Sequence, residues 1–292
     1  MTLTIEQVTT LVGAHRYGST AAKIGFLLTD SRSLCFPEET LFFALRSERN
    51  DGHNYIPELY RRGVSNFVVV NVPKDYERLY PRANFLKVVS PLKALQRLAE
   101  RHRDAFNVPV IGITGSNGKT MVKEWLYQLL SPSMVVTRSP RSYNSQIGVP
   151  LSVWLMNEET QVGIFEAGIS QPGEMQALRD IIQPTIAVLT NLGAAHQENF
   201  GSMEEKCRQK MLLFHDAHTM VYDADDPIVA KMAAQLDEKG ERLYWSATDR
   251  QAPMFIKGIN KGEAATIIEY VYKQGKSRQY TIPYIDEASI TN

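Results

Sequence analysis

The run Gly115-Ser116-Asn117-Gly118-Lys119-Thr120 combines the residue types needed to hold a nucleotide phosphate. Glycines let a backbone curl round an oxyanion with its N–H groups turned inward. A helix starting just after them adds its partial positive charge. Lys119 can reach the β and γ phosphates, and the Thr120 hydroxyl can meet a magnesium ion. The common form G-x-x-x-x-G-K-[ST] would place glycine at position 113, which is Ile113 here. The spacing is the shorter Gly115-x-x-Gly118-Lys119-Thr120. A surface turn that happens to contain these residues is the competing reading. The buried-strand pattern before the loop and the amphipathic pattern after it favour phosphate binding.

Other residues could add to that chemistry. Glu166 closes an apolar run, Gln161 to Phe165, and a carboxylate at a strand end can bind Mg²⁺ or start a loop. His196 follows the apolar run 185–190 and could ligate metal, hold a phosphoryl oxygen or pack. Lys210 lies in a mixed helical stretch, and its neighbours do not set it apart from Lys206 or Arg208. Cys207 reads as a small buried residue. The clusters Asp30-Ser31-Arg32 and Asp51-Gly52-His53 sit beside strand-like runs and suit turns as well as ligand loops.

The elements that must position these residues fall into an α/β pattern. Residues 1 to about 85 carry strand-like runs at 23–28, 40–45 and 66–70, with a short glycine-ended helix over 55–62. They predict a small α/β domain. A helix over 90–106, with Leu92, Leu95, Leu98, Ala99 and His102 in helical spacing, would connect it to a second domain. From 107 to 292 the pattern predicts a phosphate-loop domain with a doubly wound, mostly parallel sheet. Its first strand, 108–114, is apolar nearly throughout, as in a strand covered on both faces. The helix after the loop would bury Val122, Trp125, Leu126, Leu129 and Leu130. Another helix, carrying Met175, Leu178 and Ile182, separates the next two strands. Strand-like runs at 242–246, 254–257 and 264–271 come later, with a turn near Asn260-Lys261-Gly262.

Bulk properties narrow the classes. Lys+Arg and Asp+Glu are both 32, so the basic excess expected for a nucleic-acid partner is missing. Two cysteines are too few for a disulfide scaffold in 292 residues. No secretory leader is legible at the start, and no apolar run reaches membrane-span length. The expectation is a cytoplasmic protein that neither inserts in a membrane nor binds nucleic acid.

Ile113-Thr114-Gly115-Ser116-Asn117-Gly118-Lys119-Thr120 resembles the phosphate loop of the Mur ligases of bacterial peptidoglycan synthesis. Four further stretches share the resemblance: 143–150, Glu166-Ala167-Gly168 with Pro172-Gly173-Glu174, Asn191 to His196, and Phe200-Gly201-Ser202. Thr29-Asp30-Ser31-Arg32 and Asp51-Gly52-His53 match the uridine-nucleotide end of the family's substrate site. The resemblance implies an ATP-dependent ligase that joins D-alanyl-D-alanine to UDP-N-acetylmuramoyl-tripeptide through an acyl phosphate. It implies ATP and Mg²⁺ as cofactors. Gly115, Ser116, Asn117, Gly118, Lys119 and Thr120 would cradle ATP. Thr120, Glu166 and His196 would serve the metal, with Lys210 as a carbamylated lysine. Asn144 and Gln146 would line the central cleft, and Ser31, Arg32 and His53 would face the uridine part. Gln146 stands where the family often has a second asparagine, and Arg46-Ser47 where it usually has a glycine. Ile285 to Asn292 resemble the point where the family's central domain gives way to a third, C-terminal domain, which this chain is expected to lack. That end also resembles the group in which such a ligase is fused to an alanine racemase. Sister readings are the ligase adding the third amino acid, a folylpolyglutamate-type ligase and a non-catalytic nucleotide-binding module.

Overall fold

A computed structural model describes residues 2–195, 197–236 and 240–292. The contacts divide the chain into two compact units, 1–106 and 107–292.

The first unit opens with α1 (Ile5–Val12), started by Thr4 in a reciprocal cap with Gln7 and ended by Gly13 in the left-handed region. Its sheet contains β1 (His15–Tyr17), β2 (Phe26–Leu28), β3 (Thr40–Phe43), β4 (Asn66–Val69) and β5 (Asn84–Lys87), in the order β1-β5-β4-β3-β2. All neighbours run parallel except β1 and β5. Helix α2 (Ile56–Arg61) lies between β3 and β4 in sequence, and α3 (Pro91–Arg103) closes the unit. The expected strand 23–28 is split. Lys23–Ile24 pairs with Leu3–Thr4, whereas Phe26–Leu28 pairs with β3. Phe42, Phe67 and Phe85 stand on successive strands of the sheet and form the centre of the core with Ile56 and Leu59 from α2. The periodic face predicted for α3 is buried at Leu95, Leu98, Ala99 and His102.

The second unit is built on a nine-stranded sheet. In chain order its elements are β6 (Val110–Thr114), α4 (Lys119–Leu130), β7 (Val136–Arg138), α5 (Gly148–Val153), β8 (Val162–Glu166), α6 (Glu174–Ile182), β9 (Ile186–Leu189) and α7 (Met203–Met211). Then come β10 (Thr219–Asp223), α8 (Pro227–Ala234), β11 (Glu241–Ser246), β12 (Met254–Lys261), β13 (Thr266–Tyr272), β14 (Ser277–Ile282) and α9 (Glu287–Thr291). The strand order is β7-β8-β6-β9-β10-β11-β12-β13-β14. Strands β7 to β12 pair in parallel, and the last two pairings are antiparallel. The chain leaves β6 toward one side of the sheet, to β7 and β8, and then crosses to β9 on the other. That reversal opens a crevice at the carboxyl ends of β6, β8 and β9, where doubly wound sheets bind ligands. No described helix is long and apolar enough to cross a membrane.

Helix α4 departs from the expected pattern. Val122, Leu126 and Leu130 pack on Ile111, Ile113 and Ile164 as predicted. Leu129, however, is 74 % exposed, and Trp125 turns toward Tyr284, with ring centroids 5.3 Å apart. The α4 side chain that is wholly buried is Lys123, a cation.

Candidate active site

The phosphate loop joins β6 to α4. Gly115 has φ +142°, and a Cβ there would come within 2.0 Å of Thr190 Oγ1 at the end of β9. Gly118 precedes the first turn of α4 with φ +80°. Both positions need glycine for conformation, and Gly115 for space as well. The loop is laced to the segment after β9. Ser116 N–H donates to Asn191 O (2.9 Å) and Asn117 N–H to Asn191 Oδ1 (3.1 Å). Gly193 N–H donates to Ser116 Oγ (2.8 Å). Helix α9 reaches the same place, where Asn191 Nδ2 donates to Asn292 Oδ1 at 3.3 Å.

Lys119 is folded back, its ammonium donating to Gly115 O at 2.8 Å and reaching Ser116 O at 3.4 Å. Burial lowers its pKa, and Glu166 partly restores it. Those two carbonyls belong to the loop that a phosphate would enter, so the ammonium lies within reach of incoming anionic oxygens.

Glu166 ends β8 and is fully buried. Thr120 Oγ1 donates to its Oε2 at 3.0 Å, and Asn144 Nδ2 approaches the same oxygen at 3.4 Å. Its Oε1 stands 3.0 Å from Lys123 Nζ as an ion pair, without an aligned hydrogen bond. Gly168, two residues on, makes room for Asn144, because a Cβ there would meet Asn144 Cγ at 2.9 Å. The residues present fit Mg²⁺. They offer a buried carboxylate whose Oε2 lies beside a hydroxyl at the mouth of a phosphate loop, an all-oxygen set of the kind this hard cation prefers. Among the described residues no cluster of three His, Cys, Asp or Glu forms a cage. Magnesium commonly completes its shell with water and substrate phosphates instead.

Lys210, on α7, is 3 % exposed and donates to Gly115 O at 3.2 Å. Burial lowers its pKa from 10.5 to about 7, helped by the nearby charges of Lys119 and Lys206. The structure thus separates Lys210 from the exposed Arg208, as local sequence could not. Cys207, on the same helix, has its thiol pushed up to about 12, chiefly by burial, so it stays protonated and unreactive.

Lys119, Thr120, Asn144, Glu166 and Lys210 therefore converge on the carboxyl end of the sheet. The Gln146 amide donates to Glu174 O at the start of α6 (3.0 Å). His196 lies outside the described residues. In the first unit, Ser31 and Arg32 lie in the turn after β2. Ser31 is buried, and exposed Arg32 pairs with Asp30 at 2.6 Å. His53 has both ring nitrogens engaged. Nδ1 faces Asp51 Oδ1 at 2.6 Å, and Nε2 accepts from Val70 N–H at 3.1 Å. The ring is the Nδ1–H tautomer and staples the Asp51 turn to the end of β4.

Two residues of the site carry no signal in the sequence alone: Lys123 and Lys206. Lys206 is fully buried and donates to Gly193 O and Ala195 O. Lys123 and Lys206 each lie four positions from a lysine of the motifs, Lys119 and Lys210. Helix periodicity puts such pairs on one face.

These features define a nucleotide-binding α/β protein of the phosphate-loop type. Residues 113–292 match the Mur ligase middle domain, and the chain belongs to the Mur ligase family. The UDP-N-acetylmuramoyl-tripeptide–D-alanyl-D-alanine ligase of Bacillus subtilis is 32 % identical over 208 residues, covering 69 % of this chain and 44 % of that protein. The MurF ligase of Thermotoga maritima, solved with ADP, superposes with a TM-score of 0.77 at 26 % identity, over 91 % of this chain and 60 % of that one. MurF from Acinetobacter baumannii shares the fold with a TM-score of 0.86 at 22 % identity, over 100 % of this chain and 63 % of that one. The chain spans about half the length of the curated relatives it matches.

Proposed function

We propose that this chain supplies the nucleotide-binding and uridine-substrate-binding parts of an ATP-dependent ligase that joins D-alanyl-D-alanine to UDP-N-acetylmuramoyl-tripeptide. The observation that carries the reading is the meeting of Thr120, Glu166 and Asn144 at the phosphate loop, with Lys210 behind it. The curated relatives supply the substrates.

A bare carboxylate is a poor electrophile. In the proposed reaction a tripeptide carboxylate oxygen attacks the γ-phosphorus of ATP, an O–P bond forms, and ADP leaves. The amine of D-alanyl-D-alanine then attacks the acyl carbon and loses a proton, and the tetrahedral adduct collapses with loss of phosphate. Lys119 leaves the loop carbonyls for the β and γ phosphates, and the first turn of α4 presents its N–H groups to them. Mg²⁺, served by Thr120, Glu166 and His196, would neutralise phosphate charge and orient the transferred group. A neutral Lys210 amine can add CO₂, forming an N–C bond and losing a proton, and the carbamate then presents a carboxylate-like group beside the loop. Asn144 orients Glu166. Ser31, Arg32 and His53 shape the uridine end, with His53 acting through the loop it staples.

Binding tests this reading. The chain should take up ATP with Mg²⁺ in preference to GTP, and should bind UDP-N-acetylmuramoyl-tripeptide. Lys119→Ala should weaken ATP by about 10–100-fold, the value of losing charged phosphate contacts, and leave uridine-substrate binding unchanged in calorimetric titrations. Preference for GTP would favour a non-catalytic nucleotide module. ATP binding without uridine-substrate binding would favour the folylpolyglutamate type.

A further inference from the structure

Lys123 is a buried charge in an unusual place. It lies on α4 one turn beyond Lys119, where the sequence pattern alone asks for an apolar or solvated side chain. Its side chain is 0 % exposed. The ammonium stands 3.0 Å from Glu166 Oε1 and 3.2 Å from Glu124 Oε1. It also donates to Ser139 O at 2.9 Å and to Arg141 O. Arg141 has φ +49°, a left-handed conformation that disfavours a residue with a Cβ. Ser139 Oγ in turn accepts the N–H of Glu166 at 3.2 Å. The segment held in this way continues to Asn144, whose backbone O accepts from Gly168 N–H at 2.8 Å.

Desolvating an ammonium is costly, and only an opposite charge and well-placed acceptors offset that cost. Here each contact ties a different part of the site together: helix α4, the turn at 139–141, and the carboxylate ending β8. The ion pair holds Oε1 on the Lys123 side and directs Oε2 toward Thr120.

We propose that Lys123 is a positioning residue for Glu166. It fixes the carboxylate so that one oxygen faces the Thr120 hydroxyl and the nucleotide-bound Mg²⁺, and it anchors the turn that delivers Asn144 to the same oxygen. This rests on the nucleotide–magnesium reading of the site. Lys123 touches neither nucleotide nor metal in this arrangement, in contrast to Lys119.

A double-mutant cycle on the chain tests it, with a fluorescent ADP analogue as probe and MgCl₂ as the titrant. In the wild type, Mg²⁺ should tighten ADP binding. Lys123→Met should raise the Mg²⁺ concentration at half-effect by about tenfold or more, as loss of a residue supporting a metal ligand does. Metal-free ADP affinity should stay within about threefold, because the loop N–H groups and Lys119 remain. Glu166→Gln should show the same shift, and adding Lys123→Met to it should produce no further change. The double variant also carries no unpaired buried charge, so the comparison with Glu166→Gln stands even where Lys123→Met alone does not fold. A Lys123→Met chain with a lowered unfolding midpoint but an unchanged Mg²⁺ half-effect would make the residue structural and overturn the proposal. Additive shifts in the double variant would overturn it too. A wild-type chain that binds no ADP defeats the nucleotide reading itself, whereas Mg²⁺-dependent wild-type binding with an indifferent Lys123→Met defeats this inference alone.

Discussion

Lys210 shows how much of the site depends on solvation. Burial, reinforced by Lys119 and Lys206, takes its pKa from 10.5 to about 7. Between those values the folded chain holds fewer protons on Lys210 than the unfolded chain does. That group therefore adds stability as pH rises through the window, and its disadvantage is full and level below about pH 7. In CO₂-free buffer, denaturant unfolding of the wild type should gain stability relative to Lys210→Met from pH 7 to 10. Parallel curves would contradict the assignment. Such a residue is legible in sequence through a family pattern, because burial and neighbouring charge depend on strands and loops distant in the chain. Thr120 and Glu166 are readable from local rules, the first from the loop motif and the second from its place at the end of an apolar run. Lys123 is not. It sits on a helix whose apolar face is plain, and the turn at 139–141 that receives it has no sequence signature.

At the scale of elements, the site depends on short connections fixed by caps. Helix α7 carries Lys206 and Lys210, and it begins at Ser202, whose Oγ accepts from Glu205 N–H at 3.1 Å. Ser202→Ala should cost about 1 kcal/mol of stability through the lost cap, measured as a shifted urea midpoint with unchanged slope. An unchanged midpoint would show that the α7 contacts alone set that end. The strands near the phosphate loop are visible in the sequence because both faces of β6 and β8 are covered, which writes continuous apolar runs into it. The edge strand β7 is hidden because Val136–Arg138 is three half-buried residues. Strand β10, Thr219–Asp223, alternates in burial and is flanked by the polar residues of two turns. Helix α9 is hidden for another reason: five residues are too few to show a period. It nonetheless brings Asn292 to the phosphate loop.

At the scale of the molecule, the two units carry separate parts of the proposed chemistry. The first holds the turns after β2 and β3 and the second holds the phosphate loop. The α/β class and the doubly wound sheet are legible from alternating strand and helix patterns. The nine-stranded extent of that sheet is less so, because its last strand, β14, is exposed at nearly every position and shows no alternation of buried and solvent-facing residues. The substrate assignment makes the sharpest demand on the whole protein, since phosphate release must wait for the right amine. The direct measurement is phosphate release from ATP by the protein expressed from its whole gene, with UDP-N-acetylmuramoyl-tripeptide present and the amine varied. Release that depends on D-alanyl-D-alanine, and falls to background with single amino acids or glutamate, is the predicted result. Release that is indifferent to D-alanyl-D-alanine, or driven by another amine, would contradict it.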